Sequence, residues 1–251
     1  MGSQSKDQTE LTVLVTGFGP FREQYPANPS WEIAKGIPSH LPPLRAKDTS
    51  SREALKTPPV RILVPPEPIR VNYKVVRDLV PGFWDTYQGH KVDMAIHIGM
   101  ASPRPFYQIE RRAHRRGYKS LDVDNEMLVD GPEGKVDDED WIWHGLPDEI
   151  LSDFDIDDVH SRWQRLSSKD MDLRVSEDPG RYLCDFIYYS SLAHLYKASR
   201  PRKVVFLHVP SDASDTYVSR GRELTMNLIR ALVESETAAK SDLSGNQETG
   251  A

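Results

Sequence analysis

The amino-acid sequence predicts a three-layer α/β/α sandwich with a mixed, mostly parallel central sheet. Short apolar runs of strand length alternate along the chain with stretches of helical period, and this alternation is typical of α/β proteins. The run at 92–99 is apolar almost throughout, as expected for a strand that helices cover on both faces. The chain has 251 residues, which is enough for one large domain of this class.

Six apolar runs are predicted to be strands. Each is short, and several are rich in β-branched residues, which favours a buried strand over a helix. In chain order they are 12–16, 60–64, 92–99, 106–110, 173–176 and 203–209.

Five stretches are predicted to be helices. Ser30 is a plausible N-cap for a short helix at 31–35. In the next helix, at 72–80, Val75, Val76 and Leu79 share one face. The remaining predicted helices lie at 155–166, 180–197 and 220–235.

A single α/β domain is predicted at 11–235, between two polar tails. Residues 1–10 are expected to form a flexible N-terminal tail, and 236–251 a disordered C-terminal tail. The stretch 37–59 holds five prolines and no sustained period, so it is predicted to be a loop insert.

Composition excludes several classes of protein. Cys184 is the one cysteine, which rules out an internal disulfide framework and a multi-cysteine zinc site. No apolar run reaches the roughly 18 residues of a membrane span, and the first ten residues lack the apolar core of a secretory signal. We therefore expect a cytoplasmic protein with no membrane partner.

Charge is distributed unevenly along the chain. Residues 121–158 contain fifteen acidic residues and one lysine, and they directly follow a basic run at 111–119. A basic run taken alone suggests nucleic-acid binding. No interleaved aromatic platform supports that function, so we expect the basic run to pack against the acidic segment and predict no nucleic-acid partner.

Cys184 and His208 are predicted to lie side by side. The helix from Cys184 to Lys197 rises about 20 Å, and the strand from Lys203 to His208 advances about 17 Å. Because only a short connection joins the two elements, the strand returns antiparallel to the helix and brings His208 back to the level of the helix start.

A thiol at a helix start with an imidazole beside it is typical of a cysteine hydrolase. The free N–H groups and partial positive charge of a first helical turn favour a thiolate and can also hold an oxyanion. Taken alone, these residue types leave a second interpretation open, in which Cys184 is a small buried apolar residue and His208 a hydrogen-bonded strand histidine.

Four segments of the chain resemble one known family. They are VTGFGPF at 15–21, HIG at 97–99 running on to IE at 109–110, GRYLCDF at 180–186 and FLHVP at 206–210. Together, and in this order, they are similar to the pyroglutamyl-peptidases of the first type, also called pyrrolidone-carboxylate peptidases. Residues 117–119 and 121–122 further resemble the eukaryotic members.

The resemblance implies hydrolysis of an N-terminal pyroglutamyl residue from peptides, without cofactor or metal. It also implies a catalytic triad in which Cys184 is the nucleophile, His208 the general base and then acid, and Glu110 the group that orients the imidazole. Thiolate attack on the pyroglutamyl carbonyl would form an acyl-enzyme, which water then hydrolyses.

The resemblance also points to substrate-binding residues. Phe18 and Phe21 match aromatic positions expected against the flat lactam ring, although either ring could equally be core. Lys119 is the nearest counterpart of an arginine that bacterial members place near the oxyanion site. Asn28 is expected to hold its loop, and Arg22 stands where the family commonly has a glycine.

Three other functions compete with this one. Gly17-Phe18-Gly19 after a strand suggests a dinucleotide site, but the third glycine of that motif is missing. The eight histidines include no His-x-x-x-His pair, which disfavours a metallopeptidase. The third alternative is a catalytically impaired family member that binds a peptide or a partner. The sequence does not predict the oligomeric state.

Overall fold

The computed structural model describes residues 9–44, 57–101, 104–129, 139 and 141–248, and beyond residue 240 it describes the backbone alone. Much of the predicted N-terminal tail and of the predicted insert therefore lies outside the described residues. Within the described residues, no helix has the length and apolar character needed to cross a membrane.

The described chain forms eight strands and five helices. The strands are β1 (Leu11–Gly17), β2 (Val60–Leu63), β3 (Met94–Met100), β4 (Tyr107–Glu110), β5 (Arg112–His114), β6 (Glu149–Leu151), β7 (Leu173–Ser176) and β8 (Val204–Val209). The helices are α1 (Pro29–Ala34), α2 (Tyr73–Trp84), α3 (Ile156–Leu166), α4 (Leu183–Lys197) and α5 (Asp215–Glu248).

Six strands form the central sheet, in the order β2-β1-β3-β8-β4-β7. All neighbours run parallel except β4 and β8, which are antiparallel. The predicted mixed, mostly parallel sheet is confirmed. Two buried clusters cover its faces: the side chains of α1, α3 and α5 belong to one, and those of α2 and α4 to the other.

The helix ends differ from prediction for local reasons. Asn28, not Ser30, caps α1, because the Asn28 side chain accepts the backbone N–H of Ser30. Helix α2 passes through Pro81 and continues to Trp84, which is 1% exposed and gains burial by staying helical. Helix α4 begins at Leu183, three residues later than predicted, so Cys184 lies in its first turn.

The largest correction concerns the C-terminal helix. Helix α5 begins at Asp215 and runs to Glu248, whereas the sequence predicts a helix at 220–235 followed by disorder. The stretch from Thr237 to Glu248 contains no proline to stop the helix, and Ala238 and Ala239 have high helix propensity. Residues 249–251 lie outside the described residues.

The basic run packs against the acidic segment, as predicted. Arg111 pairs with Asp157 at 2.7 Å, Arg112 with Glu149 at 2.7 Å, and Arg115 with Asp148. The sequence did not predict the two-stranded sheet of β5 and β6, which the Arg112–Glu149 pair joins. Both strands have only three residues, too few to show a period.

Candidate active site

Strand β8 places His208 in the middle of the sheet, facing helix α4. Its backbone pairs Gly99 of β3 on one side and Gln108 of β4 on the other. Successive side chains of a strand point to opposite faces, and Phe206, two residues earlier, packs in the cluster that α4 covers. His208 therefore points to the same face as Phe206.

Cys184 approaches the same spot from the start of α4. It is the second residue of the helix and is partly exposed. The N-cap residue, Tyr182, makes no side-chain capping hydrogen bond to this end of α4. The first backbone N–H groups of a helix have no partner within the helix, and they carry partial positive charge. Cys184 thus lies where a negative charge on sulfur or on a bound oxygen would be stabilised.

The two groups meet, as the matched lengths of helix and strand predict. The Cys184 side chain interacts electrostatically with the His208 ring. Gly99, the register neighbour of His208 in β3, lies against the Cys184 sulfur. Gly99 makes room for this contact, because a Cβ atom there would lie 2.8 Å from Cys184 Sγ and 2.6 Å from the Phe206 ring. Any side chain at position 99 would have to displace the sulfur or the ring.

Glu110 is the carboxylate that contacts the imidazole. Nδ1 of His208 donates to Oε1 of Glu110 at 2.7 Å, and Gln108 Nε2 donates to the same oxygen at 2.6 Å. Glu110 is 0% exposed. Its Oε2 has no hydrogen-bond partner among the described residues. The resemblance alone singled out Glu110, and the structure brings it to His208.

The surroundings of His208 favour its charged form. Burial lowers the pKa of His208, but its interactions with Cys184 and Glu110, among them the hydrogen bond to Glu110, raise it to about 9. A ring with this pKa keeps its proton at neutral pH. The site can therefore hold an imidazolium between a sulfur and a carboxylate, which is the charge arrangement of a cysteine nucleophile with its base.

Aromatic rings lie at the N-terminal end of α4, where Tyr182 is the N-cap residue. The Tyr182 ring, two residues before Cys184, is 6.3 Å from the Phe21 ring between centroids, and Phe21 in turn stacks on Tyr25 at 6.1 Å. Phe21 is partly exposed, whereas Phe18 is 3% exposed and packs in the core. The Arg22 guanidinium lies over the Phe21 ring, 5.4 Å from its centroid.

Two further predicted residues have clear surroundings. Asn28 is buried, and its side-chain amide donates to the carbonyl of Gly19 at 2.9 Å, so it holds the loop as predicted. Lys119 is exposed. Among the described residues no hydrogen bond or ion pair joins it to Cys184 or His208, so its role at the substrate stays a prediction.

Sequence reasoning missed three residues at this site: Gly99, Gln108 and Tyr182. Gln108 and Glu110 are two residues apart in one strand, which places both side chains on one face. That spacing was available in the sequence. The sequence does not show which strand lies next to β8, so there was no reason to choose Gln108 over other glutamines.

Comparison with known proteins gives a consistent result. The model of a family described as pyroglutamyl peptidase matches residues 69–239. Human pyroglutamyl-peptidase 1 is 31% identical over 204 residues, which are 81% of this chain and 81% of that protein.

Solved structures of pyrrolidone carboxyl peptidases share the fold. The enzyme from Thermococcus litoralis superposes with a TM-score of 0.65 at 16% identity, covering 92% of this chain and 96% of that one. A variant of the enzyme from Pyrococcus furiosus gives a TM-score of 0.64 at 23% identity, covering 89% and 99%. At these identities the likeness concerns the architecture alone.

Proposed function

This chain belongs to the pyroglutamyl peptidase family, and from that premise we propose that it removes N-terminal pyroglutamyl residues from peptides through a triad of Cys184, His208 and Glu110. The family resemblance read from four sequence segments is confirmed, and the protein is a cysteine peptidase of the pyroglutamyl-peptidase I type. The observation that supports the triad is the position of His208, whose Nδ1 donates to Glu110 and whose register neighbour Gly99 lies against the Cys184 sulfur.

The reaction begins with proton transfer from sulfur to imidazole. Glu110 accepts the hydrogen bond from Nδ1 of His208, so Nε2 is the ring nitrogen that exchanges a proton with Cys184. The Cys184 thiolate attacks the pyroglutamyl carbonyl carbon, and the carbonyl oxygen takes up the negative charge. Backbone N–H groups in the first turn of α4 supply donors for this oxyanion.

Collapse of the tetrahedral intermediate cleaves the peptide. His208 gives its proton to the leaving amine nitrogen as the C–N bond breaks, so the shortened peptide departs with a free N-terminus. The thioester that remains on Cys184 is attacked by water, and His208 accepts the water proton. Pyroglutamate is released and the thiolate–imidazolium pair is restored.

Aromatic rings near the sulfur suit a flat, uncharged lactam. The Phe21 and Tyr182 rings lie 6.3 Å apart between centroids at the start of α4, and they are the rings that we expect to contact the lactam. Phe18 is buried and supports this region from the core. A free N-terminal amine would bring a charge into these apolar surroundings at a desolvation cost, which favours the cyclised residue.

A fluorogenic assay tests the proposal. Purified full-length protein should release aminocoumarin from its pyroglutamyl amide and leave the prolyl amide intact, since proline has the same ring size but a charged nitrogen and no lactam carbonyl. Cys184→Ser should lower kcat/KM by roughly 10³-fold or more, because an alcohol ionises far less readily than a thiol. Equal rates on both amides would remove the specificity, and a fully active serine variant would remove the mechanism.

A further inference from the structure

The residue that follows the nucleophile has a buried carboxylate that the mechanism above does not use. Asp185 is 0% exposed. Its Oδ1 accepts the backbone N–H of His114 at 3.0 Å, and its Oδ2 lies 3.3 Å from Nδ1 of the same histidine. Burial raises the pKa of Asp185, and the neighbouring His114 acts in the opposite direction. Burying a carboxylate costs free energy, so we expect a buried carboxylate to make contacts that offset this cost.

Other side chains complete the surroundings of Asp185. Nη1 of Arg181 lies 3.6 Å from Oδ2 of Asp185. The Tyr118 hydroxyl donates to the backbone carbonyl of His114, and its pKa is raised by burial and by Asp185. On its other ring nitrogen, His114 is 3.8 Å from Glu149. Asp185 therefore fixes β5 to the first turn of α4 through a set of polar contacts that lie mostly out of water.

About one turn further along α4, a second buried side chain contacts the stretch formed by β4 and β5. The Tyr188 hydroxyl donates to the backbone carbonyl of Glu110 at 3.0 Å, and Tyr188 is 0% exposed. Strands β4 and β5 are separated by one residue, so Glu110 and His114 belong to one continuous piece of chain. Asp185 and Tyr188 therefore hold α4, which carries Cys184, against the segment that carries Glu110.

We propose that Asp185 and Tyr188 are positioning residues that hold Cys184 at its contact with His208. The proposal rests on the proposed function, because it names what keeps that site assembled. The start of α4 lies about 20 Å from its covalent connection to β8, and its N-cap residue makes no side-chain capping hydrogen bond. A displacement of about 1 Å in a reacting group can cost roughly 10²-fold in rate.

A matched pair of variants tests the acceptor role of Asp185. Asparagine and leucine are close to aspartate in size, but only asparagine can still accept the His114 N–H. Asp185→Leu should lower kcat about 10- to 100-fold while KM changes less than about threefold. Asp185→Asn should return kcat to within about threefold of the wild-type value.

Alkylation of Cys184 provides a readout that needs no peptide substrate. The chain has a single cysteine, so iodoacetamide reports on that sulfur alone. A thiol that transfers its proton to His208 reacts rapidly at neutral pH, whereas a displaced thiol needs a pH near the ordinary value of about 8.5. We expect the rate–pH curve of Asp185→Leu to shift towards alkaline pH and that of Asp185→Asn to stay in place.

The outcomes separate the two proposals. If the wild-type protein fails to hydrolyse the pyroglutamyl amide, the proposed function is wrong, but the alkylation rates of the variants can still be compared. A folded Asp185→Leu protein with kcat within twofold of wild type and an unchanged alkylation curve overturns the positioning role. An asparagine variant as impaired as the leucine variant does so as well.

A smaller change covers the case in which Asp185→Leu does not fold. Tyr188→Phe removes one hydroxyl and keeps the ring in place. We expect kcat to fall about 3- to 10-fold with KM unchanged. Circular dichroism and thermal melting would establish folding, and an unchanged kcat in the folded phenylalanine variant would overturn the proposal.

Discussion

Replacement of Glu110 by glutamine tests whether this carboxylate holds the proton on His208. Oε1 of Glu110 accepts from His208 Nδ1 at 2.7 Å inside a fully buried site. Glutamine has nearly the same shape, so the change removes the negative charge with little loss of packing. It can also turn its NH₂ group towards the imidazole and stabilise the wrong tautomer.

The expected effect on the His208 proton follows from the energy of the bond. A hydrogen bond to a charged group contributes about 1.5–3 kcal/mol, and one pKa unit corresponds to about 1.4 kcal/mol. Loss of the Glu110 charge should therefore lower the pKa of His208 from about 9 by about 1–2 pH units. The shift is downward, because the anion stabilises the protonated ring and its loss favours the neutral form.

The pH dependence of kcat/KM measures this shift. Above the pKa of His208 the ring no longer carries the proton that the leaving amine needs, so the rate falls. The alkaline limb should lie near pH 9 in the wild-type protein, in line with the His208 pKa of about 9. In Glu110→Gln it should move to about pH 7–8.

A matched control makes the result specific. Glu67 is exposed, and Glu67→Gln removes the same charge from the surface. That variant should keep the wild-type pH profile and kcat/KM. If Glu110→Gln also kept an alkaline limb near pH 9 and a rate within twofold, the carboxylate would have no part in setting the charge of His208.

Three further changes follow from the structure. Gly99→Ala places a methyl group 2.8 Å from the sulfur of Cys184, so kcat should fall at least about tenfold, whereas Gly82→Ala, with no atom within 4 Å, should leave Michaelis kinetics intact. Burial lowers the pKa of His97 to about 3, below the value of about 6.5 in the unfolded chain. Because the unfolded chain then binds more protons than the folded one, the free energy of unfolding falls as the pH drops below about 6.5. In urea unfolding, wild type should lose about 2 kcal/mol more than His97→Gln between pH 7 and pH 5, and equal losses would contradict this. Phe21→Ala should raise KM for the pyroglutamyl amide about 3- to 10-fold, with a smaller effect on kcat, and an unchanged KM would remove Phe21 from the substrate site.

Local patterns in the sequence were enough for most of the architecture. The alternation of short apolar runs with helical stretches predicts the α/β class, and the ranges of β1, β2, β4 and β7 agree with prediction to within a residue. Helix α3 begins where predicted, with Asp155 as its N-cap. These features depend on neighbours a few residues apart, so a single sequence contains them.

The meeting of Cys184 with His208 was also predictable, for a geometric reason. Helix and strand have fixed rises per residue, and here a short connection joins an α4 and a β8 of similar length. The end of one must then return to the start of the other. Contacts between elements that are adjacent in the chain follow from such arithmetic.

Contacts between segments that are far apart in the chain could not be predicted from the lengths of helices and strands. Glu110 lies 98 residues from His208, and Asp185 lies 71 residues from His114. The sequence contains many carboxylates with no local feature to rank them, so only the family resemblance pointed to Glu110.

The sequence by itself determined which residues share a face of each strand, because side-chain alternation is a local property of the backbone. Only the tertiary structure decided that β8 runs between β3 and β4. That order arises from hydrogen bonding and burial summed over the whole sheet, and it brings Gly99, Glu110 and His208 together beneath Cys184.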